Sequence, residues 1–228
     1  MVLVVAVAAS ITALFLRGFK FEDLPNQFTG QNFETPAMKV WLVQSQPYAD
    51  KMEAYRDGMA SAKESSGVYV ISVNNQWHWV AGAYMTQEEA NSAIENNKNL
   101  SNAVSVLHEV KSKTFKISSE LITPCRQMFD NIISVTELLF RLRDNIINNL
   151  QDPQILLDLT EKYNAIKNGV QELQTLNATQ KNELLASFIY TGNVNILSLQ
   201  EVVCGSHQDN LSTINTAILK IIFSLDNF

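Results

Sequence analysis

Apolar residues follow two different periods along this chain. Between Lys39 and Lys116 they fall in short alternating runs and brief helical stripes; from Ser118 onward they recur every three to four positions. In the first region, residues 39–46 predict a strand ended by Pro47, which cannot donate to a central ladder. From about Asp50 to Ser66, Met52, Tyr55, Met59 and Ala62 fall at i, i+3, i+7 and i+10. That spacing predicts a helix burying those four and leaving Lys51, Glu53, Asp57 and Lys63 to solvent. Gly67 suits the positive φ of a helix C-terminus. Residues 68–73 and 77–84 read as strands joined by turn chemistry at Asn74-Asn75-Gln76. Thr86-Gln87-Glu88-Glu89 is a capping box that opens a helix to about Asn97. A last strand covers 103–110, with an extension toward Ile117. This β-α-β-β-α-β order predicts a four-stranded antiparallel sheet with both helices on one face and the other face open.

The second region predicts an α-helical bundle. A long stripe of Leu121, Met128, Ile132, Val135, Leu139, Leu142, Ile146 and Leu150 marks a helix over 119–150, where Pro124 fits only near the first turn. Asp152-Pro153 restarts a helix, Asp as N-cap and Pro at N1, that runs to about Leu176. Asn177-Ala178-Thr179 reads as a break, Thr191-Gly192-Asn193 as a turn, and Gly205-Ser206-His207 as a break before a final helix capped by Asp209. Connections this short favour antiparallel neighbours in a bundle of four or five helices. Its stripes either bury each other or present a docking face for a partner helix.

Strand residues alternate sides. If Val43 faces the two helices, Leu42, Gln44 and Gln46 face the open side, as do His78 and Val80, while Trp77, Trp79 and Ala81 join the core. Tyr69 and Ile71 complete the open side. Amides and an imidazole that both donate and accept, beside flat apolar surface, suit sugar recognition. The run Trp77-His78-Trp79-Val80-Ala81-Gly82-Ala83-Tyr84-Met85-Thr86-Gln87-Glu88-Glu89-Ala90 resembles the second β-α half of a SPOR domain, the bacterial envelope module that binds peptidoglycan glycan strands. Residues 40–48 fit its first half, with Gln44 at the family's first-strand Gln and Gln46-Pro47-Tyr48 in place of its usual Gly, small residue and Phe. The resemblance implies a SPOR/ferredoxin-like α+β fold. It also implies glycan binding across the sheet by Leu42, Gln44, Gln46, Tyr69, Ile71, His78 and Val80.

At 228 residues the chain can form two small domains. Its formal net charge of −6 argues against nucleic acid as a partner. Residues 38–117 are neutral overall, so the acidity belongs to the helical half. The uncharged run Met1–Leu16, followed by Arg17 and Lys20, is short of the roughly 20 residues a spanning helix needs, unless the cations snorkel. It reads as a single-pass membrane anchor, with a cleaved signal or a buried core segment as alternatives. Basic residues on its C-terminal side alone would hold that side in the cytoplasm; a basic extension upstream would reverse this.

Candidate chemistry adds little. His78, His108 and His207 fall on the third strand, the fourth strand and a loop, the first two about 10 Å apart by strand spacing, too far to share a metal. Cys125 and Cys204 suit either a disulfide or two separate thiols, and their spacing matches no zinc site. No nucleophile, metalloprotease or phosphate-loop motif occurs, so neither catalysis nor a cofactor is expected.

These readings divide the chain into a membrane segment (1–21), a linker (22–37), a SPOR-like domain (38–117) and an α-helical domain (118–228). The expected function is non-catalytic peptidoglycan binding at the cell membrane, in division or sporulation, with both domains extracytoplasmic. The alternative is a membrane-anchored scaffold whose helical domain binds a protein partner.

Overall fold

The computed structural model describes residues 30–61, 67–180, 183–204 and 210–226. Among these residues there are six strands: β1 (Gln31–Glu34), β2 (Met38–Gln44), β3 (Tyr69–Val73), β4 (Gln76–Tyr84), β5 (Val104–Val110) and β6 (Thr114–Ile117). The described residues also form six α-helices: α1 (Lys51–Ser61), α2 (Gln87–Asn96), α3 (Ser119–Ile147), α4 (Pro153–Gln180), α5 (Glu183–Val203) and α6 (Leu211–Asp226). The architecture is α+β. The run read from the sequence as a membrane segment lies outside the described residues, and among those described no helix is long and apolar enough to cross a membrane.

The main sheet has the order β3-β4-β2-β5, antiparallel throughout, so the first strand of the β-α-β-β-α-β unit lies between the third and the fourth as expected. Local chemistry sets its joints. Asn74 and Asn75, at φ 51° and 62°, form the two-residue loop between β3 and β4, and Asn tolerates positive φ better than most residues. Asp50 Oδ1 accepts from the Met52 and Glu53 amides and caps α1. Thr86 Oγ1 accepts from the Glu89 amide at 3.2 Å, and Glu89 Oε2 reaches back to the Met85 amide, one residue earlier than in a standard capping box. Val43 pairs with Gly82 but Gln44 with Val80, which leaves Ala81 as a bulge that bends β4.

Helices α1 and α2 cover one face through Val43, Trp79, Ala81, Ala90 and Leu100. The predicted stripe of α1 does not take part. Ala54 and Gly58 are its buried residues, and Met52, Tyr55 and Met59 point to solvent. Trp79 explains the reversal: a Cβ on Gly58 would lie 2.8 Å from Trp79 Cβ, so only a small residue lets the helix sit that close.

Helices α3 to α6 form a four-membered bundle in which α3 touches α4, α4 touches α5, α5 touches α6 and α6 returns to α3. Three expected features differ. Helix α4 runs through Asn177-Ala178-Thr179 to Gln180, and α5 runs through Thr191-Gly192-Asn193 without a turn. Gly192 is a close-packing site instead: a Cβ there would meet Val170 Cγ2 at 2.2 Å and Met128 Sδ at 3.0 Å. Pro124 lies in the second turn of α3, buried in the core.

Part of the expected linker is also structured. β1 pairs with β6, which is separated from β5, as a two-stranded ribbon. Phe33 of β1 meets the rings of Phe129 and Phe188 at 5.7 and 5.6 Å, which fixes the ribbon to the bundle. Phe33, sheet residues Val40, Leu42 and Val80, and the bundle stripes share one continuous core.

Candidate functional site

The alternation read from the sequence holds. Val43 and Trp79 lie with α1 and α2, while Leu42 and Val80 face the other way. Register places Tyr69 beside Val80, Val80 beside Gln44, and Ile71 beside His78. The seven candidate residues thus belong to one side of the sheet and its adjoining β2 end.

That side is not open. Helix α6 lies on it, touching β4, β3 and β5. Phe223 stacks on Tyr69 at 4.8 Å between centroids and meets His108 edge-on at 5.3 Å, so one ring is held by both edge strands. Leu42 and Val80 are buried, and His78 is 9% exposed with Nδ1 donating to the Ser45 carbonyl at 2.9 Å. Tyr69 and Ile71 are half-buried against the core, and burial pushes the Tyr69 phenol up from its ordinary value. Gln44 is half-exposed and Gln46 is the one exposed residue of the seven, so this end is the most accessible part of the candidate face.

α6 is not a removable lid. Ile214, Ile218, Leu219, Ile221, Ile222, Phe223 and Leu225 are all buried. At about 1.5–3 kcal/mol for each such side chain, their exposure would cost as much as the roughly 5–15 kcal/mol that holds a whole domain folded. Its end is tied as well: Lys113 Nζ donates to the Asp226 carbonyl, and Asp226 Oδ2 lies 3.6 Å from His108 Nε2, an ion-pair distance too long for a hydrogen bond.

Arg143, which sequence pattern did not single out, joins the sheet to the bundle. It is 1% exposed, donates to the Ala83 carbonyl, contacts Asp144, and lies 4.3 Å over the Tyr84 ring. Every part of this contact is structural.

The opposite face of the sheet carries the accessible surface. On α1, Met52 is 68%, Tyr55 47% and Met59 54% exposed. Helical spacing puts Lys51 on one side of this stripe and Arg56 on the other. Beneath it, Asp57 accepts from Tyr48 OH and, at 3.0 Å, from Trp79 Nε1, which locks the helix in place. Lys51 Nζ sits 5.2 Å over the Trp77 ring. The signal was present in the sequence: Ala54 and Gly58, four residues apart, form a second stripe suited to close packing.

Other chemistry is sparse. Among the described residues no three His, Cys, Asp or Glu side chains form a metal-binding group. Cys125 and Cys204 are unpaired; burial pushes the Cys125 thiol up to about 12, and Cys204 is exposed. A wide cleft of about 360 Å³ between α3 and α4 is lined by charges of both signs, among them Glu137, Arg141, Asp158 and Lys162. No protein-family model, no curated protein and no solved structure matches this chain.

Proposed function

We propose that this protein is a non-catalytic scaffold that binds a partner protein through the outer face of α1. The observation that carries this is the stripe of Met52, Tyr55 and Met59, exposed on a helix whose opposite face is fixed by Gly58 and Asp57. Three large apolar residues at i, i+3 and i+7 match the way an amphipathic segment is gripped. Lys51 and Arg56 beside them favour an apolar segment with acidic flanks. The membrane enters through residues 1–21 as an anchor, with the folded regions extracytoplasmic.

The test is a photoreactive residue at position 55 in the full chain, expressed in its host. A discrete adduct that disappears with Met52→Glu and Met59→Glu supports the reading. No adduct, or one those changes leave intact, sinks it.

A second reading is peptidoglycan binding by the sheet. Two observations favour it: the β3-β4-β2-β5 order with α1 and α2 on one side, which is the SPOR/ferredoxin-like arrangement, and the accessible end at Gln44 and Gln46. Sedimentation with sacculi before and after removal of stem peptides decides it. Binding that rises on denuded strands and falls in Gln46→Ala supports glycan recognition; a folded protein that stays in the supernatant removes it.

A further inference from the structure

We propose that Met52 and Met59 are a sulfoxidation switch: oxidation of both thioethers by a hydroperoxide closes the α1 surface to its partner without unfolding the chain. The inference rests on the α1 reading above and names how that same surface is regulated. The described residues include five methionines in three environments. Met128 is fully buried, and Met38 is half-buried against the same core. Met52, Met59 and Met85 are exposed, so an oxidant in solution reaches their sulfurs and not that of Met128. Position makes two of these three consequential. Met52 and Met59 lie seven residues apart, two turns and about 10 Å along one face of a helix, with Tyr55 between them. Together they are two of the three large apolar side chains on the exposed stripe.

Oxidation turns a flexible apolar side chain into a polar one. In the step, a sulfur lone pair takes one oxygen of hydrogen peroxide. The S–O bond forms as the O–O bond breaks, the thioether loses two electrons, and the second oxygen leaves with both protons as water. A sulfoxide reductase reverses this with two thiols, which become a disulfide as water is released. With both sulfoxides formed, only Tyr55 keeps its apolar surface on the stripe. An apolar partner segment offers no donor to either S–O oxygen, so docking would strip water from two polar groups without replacing it. The groups that seat α1 carry no sulfur: Ala54 and Gly58 pack beneath it, and Asp57 accepts from Tyr48 OH and Trp79 Nε1. The surface therefore changes while the helix stays in place.

The test uses the full chain with the photoreactive residue at position 55, treated with hydrogen peroxide, cleared of it by catalase and returned to host extract. Peptide mass mapping is expected to find one added oxygen on each of Met52, Met59 and Met85 and none on Met128, with the urea midpoint unchanged. Adduct yield is expected to fall about tenfold or more and to return after treatment with methionine sulfoxide reductase. In a Met52→Leu, Met59→Leu double variant, peroxide should no longer change the yield from that variant's own starting level. Met85→Leu should respond as the parent does. An adduct that persists once both sulfoxides have formed overturns the switch. So does a fall in the midpoint, or a sensitivity that survives in the double variant and so belongs to exposed Cys204 or another group. Absence of the adduct before any peroxide instead sinks the α1 reading, and the switch with it. Reversal by the reductase decides the matter should the double variant not fold or not form the adduct.

Discussion

Helices α1 and α6 lie on opposite faces of one sheet and use their apolar residues in opposite ways. α6 turns Ile214, Ile218, Ile221, Ile222 and Leu225 inward and sets Phe223 between the two edge strands. α1 turns Ala54 and Gly58 inward and leaves Met52, Tyr55 and Met59 outside. The difference lies in what the sheet offers. On the α1 side Trp79 fills the space, so the helix must come close and only small residues fit. On the α6 side the sheet offers Leu42, Val80 and half-buried Tyr69, which leave room for large side chains. A stripe of large apolar residues therefore marks a buried face only where the opposing surface has depth to receive it.

This contrast can be broken or sharpened by substitution. The largest effect is expected from Phe223→Ala, which should cost about 3–5 kcal/mol in urea unfolding. A loss under about 1 kcal/mol would mean that α6 is only loosely seated on the sheet. Gly58→Val should cost about 1–3 kcal/mol by forcing α1 off Trp79; an unchanged midpoint would contradict the close approach. Met52→Gln and Met59→Gln should each stay within about 0.5 kcal/mol of the parent while weakening partner binding. A large stability loss from either would place that stripe inside. The smallest effect belongs to Tyr69→Phe at neutral pH, again within about 0.5 kcal/mol.

Tyr69 also gives a pH signature. Burial raises its folded-state pKa above the ordinary 10.0, so the neutral phenol is favoured by folding. Its contribution is full below the unfolded pKa and is lost as pH rises through the folded one. Stability followed above pH 10 should therefore fall less steeply in Tyr69→Phe than in the parent. Identical alkaline slopes would show that Tyr69 is not buried by α6.

Much of the local architecture was legible in sequence. Asn74-Asn75, Thr86 with Glu89, and Asp50 each specify a joint through bonds or dihedrals within a few residues. The alternation that sets Leu42, His78 and Val80 against Val43 and Trp79 follows from a period of two and survived folding intact. Less of the candidate site was legible. Nothing in residues 40–80 reports that a helix more than a hundred residues later will cover Leu42 and Val80. Gly192 reads as a turn because glycine often is one; that Val170 and Met128 need its empty side is a fact about two other helices. β1 reads as linker because a four-residue strand carries almost no periodic signal, and its partner β6 lies some eighty residues away.

The sequence by itself determined the element types, most of their order and the two sides of the sheet, because those depend on neighbours within a turn or a strand. Only the tertiary structure decided which side is closed and which surfaces remain free. Occupancy depends on the depth of the opposing surface and on distant segments competing to bury it, and neither quantity is written in the local pattern.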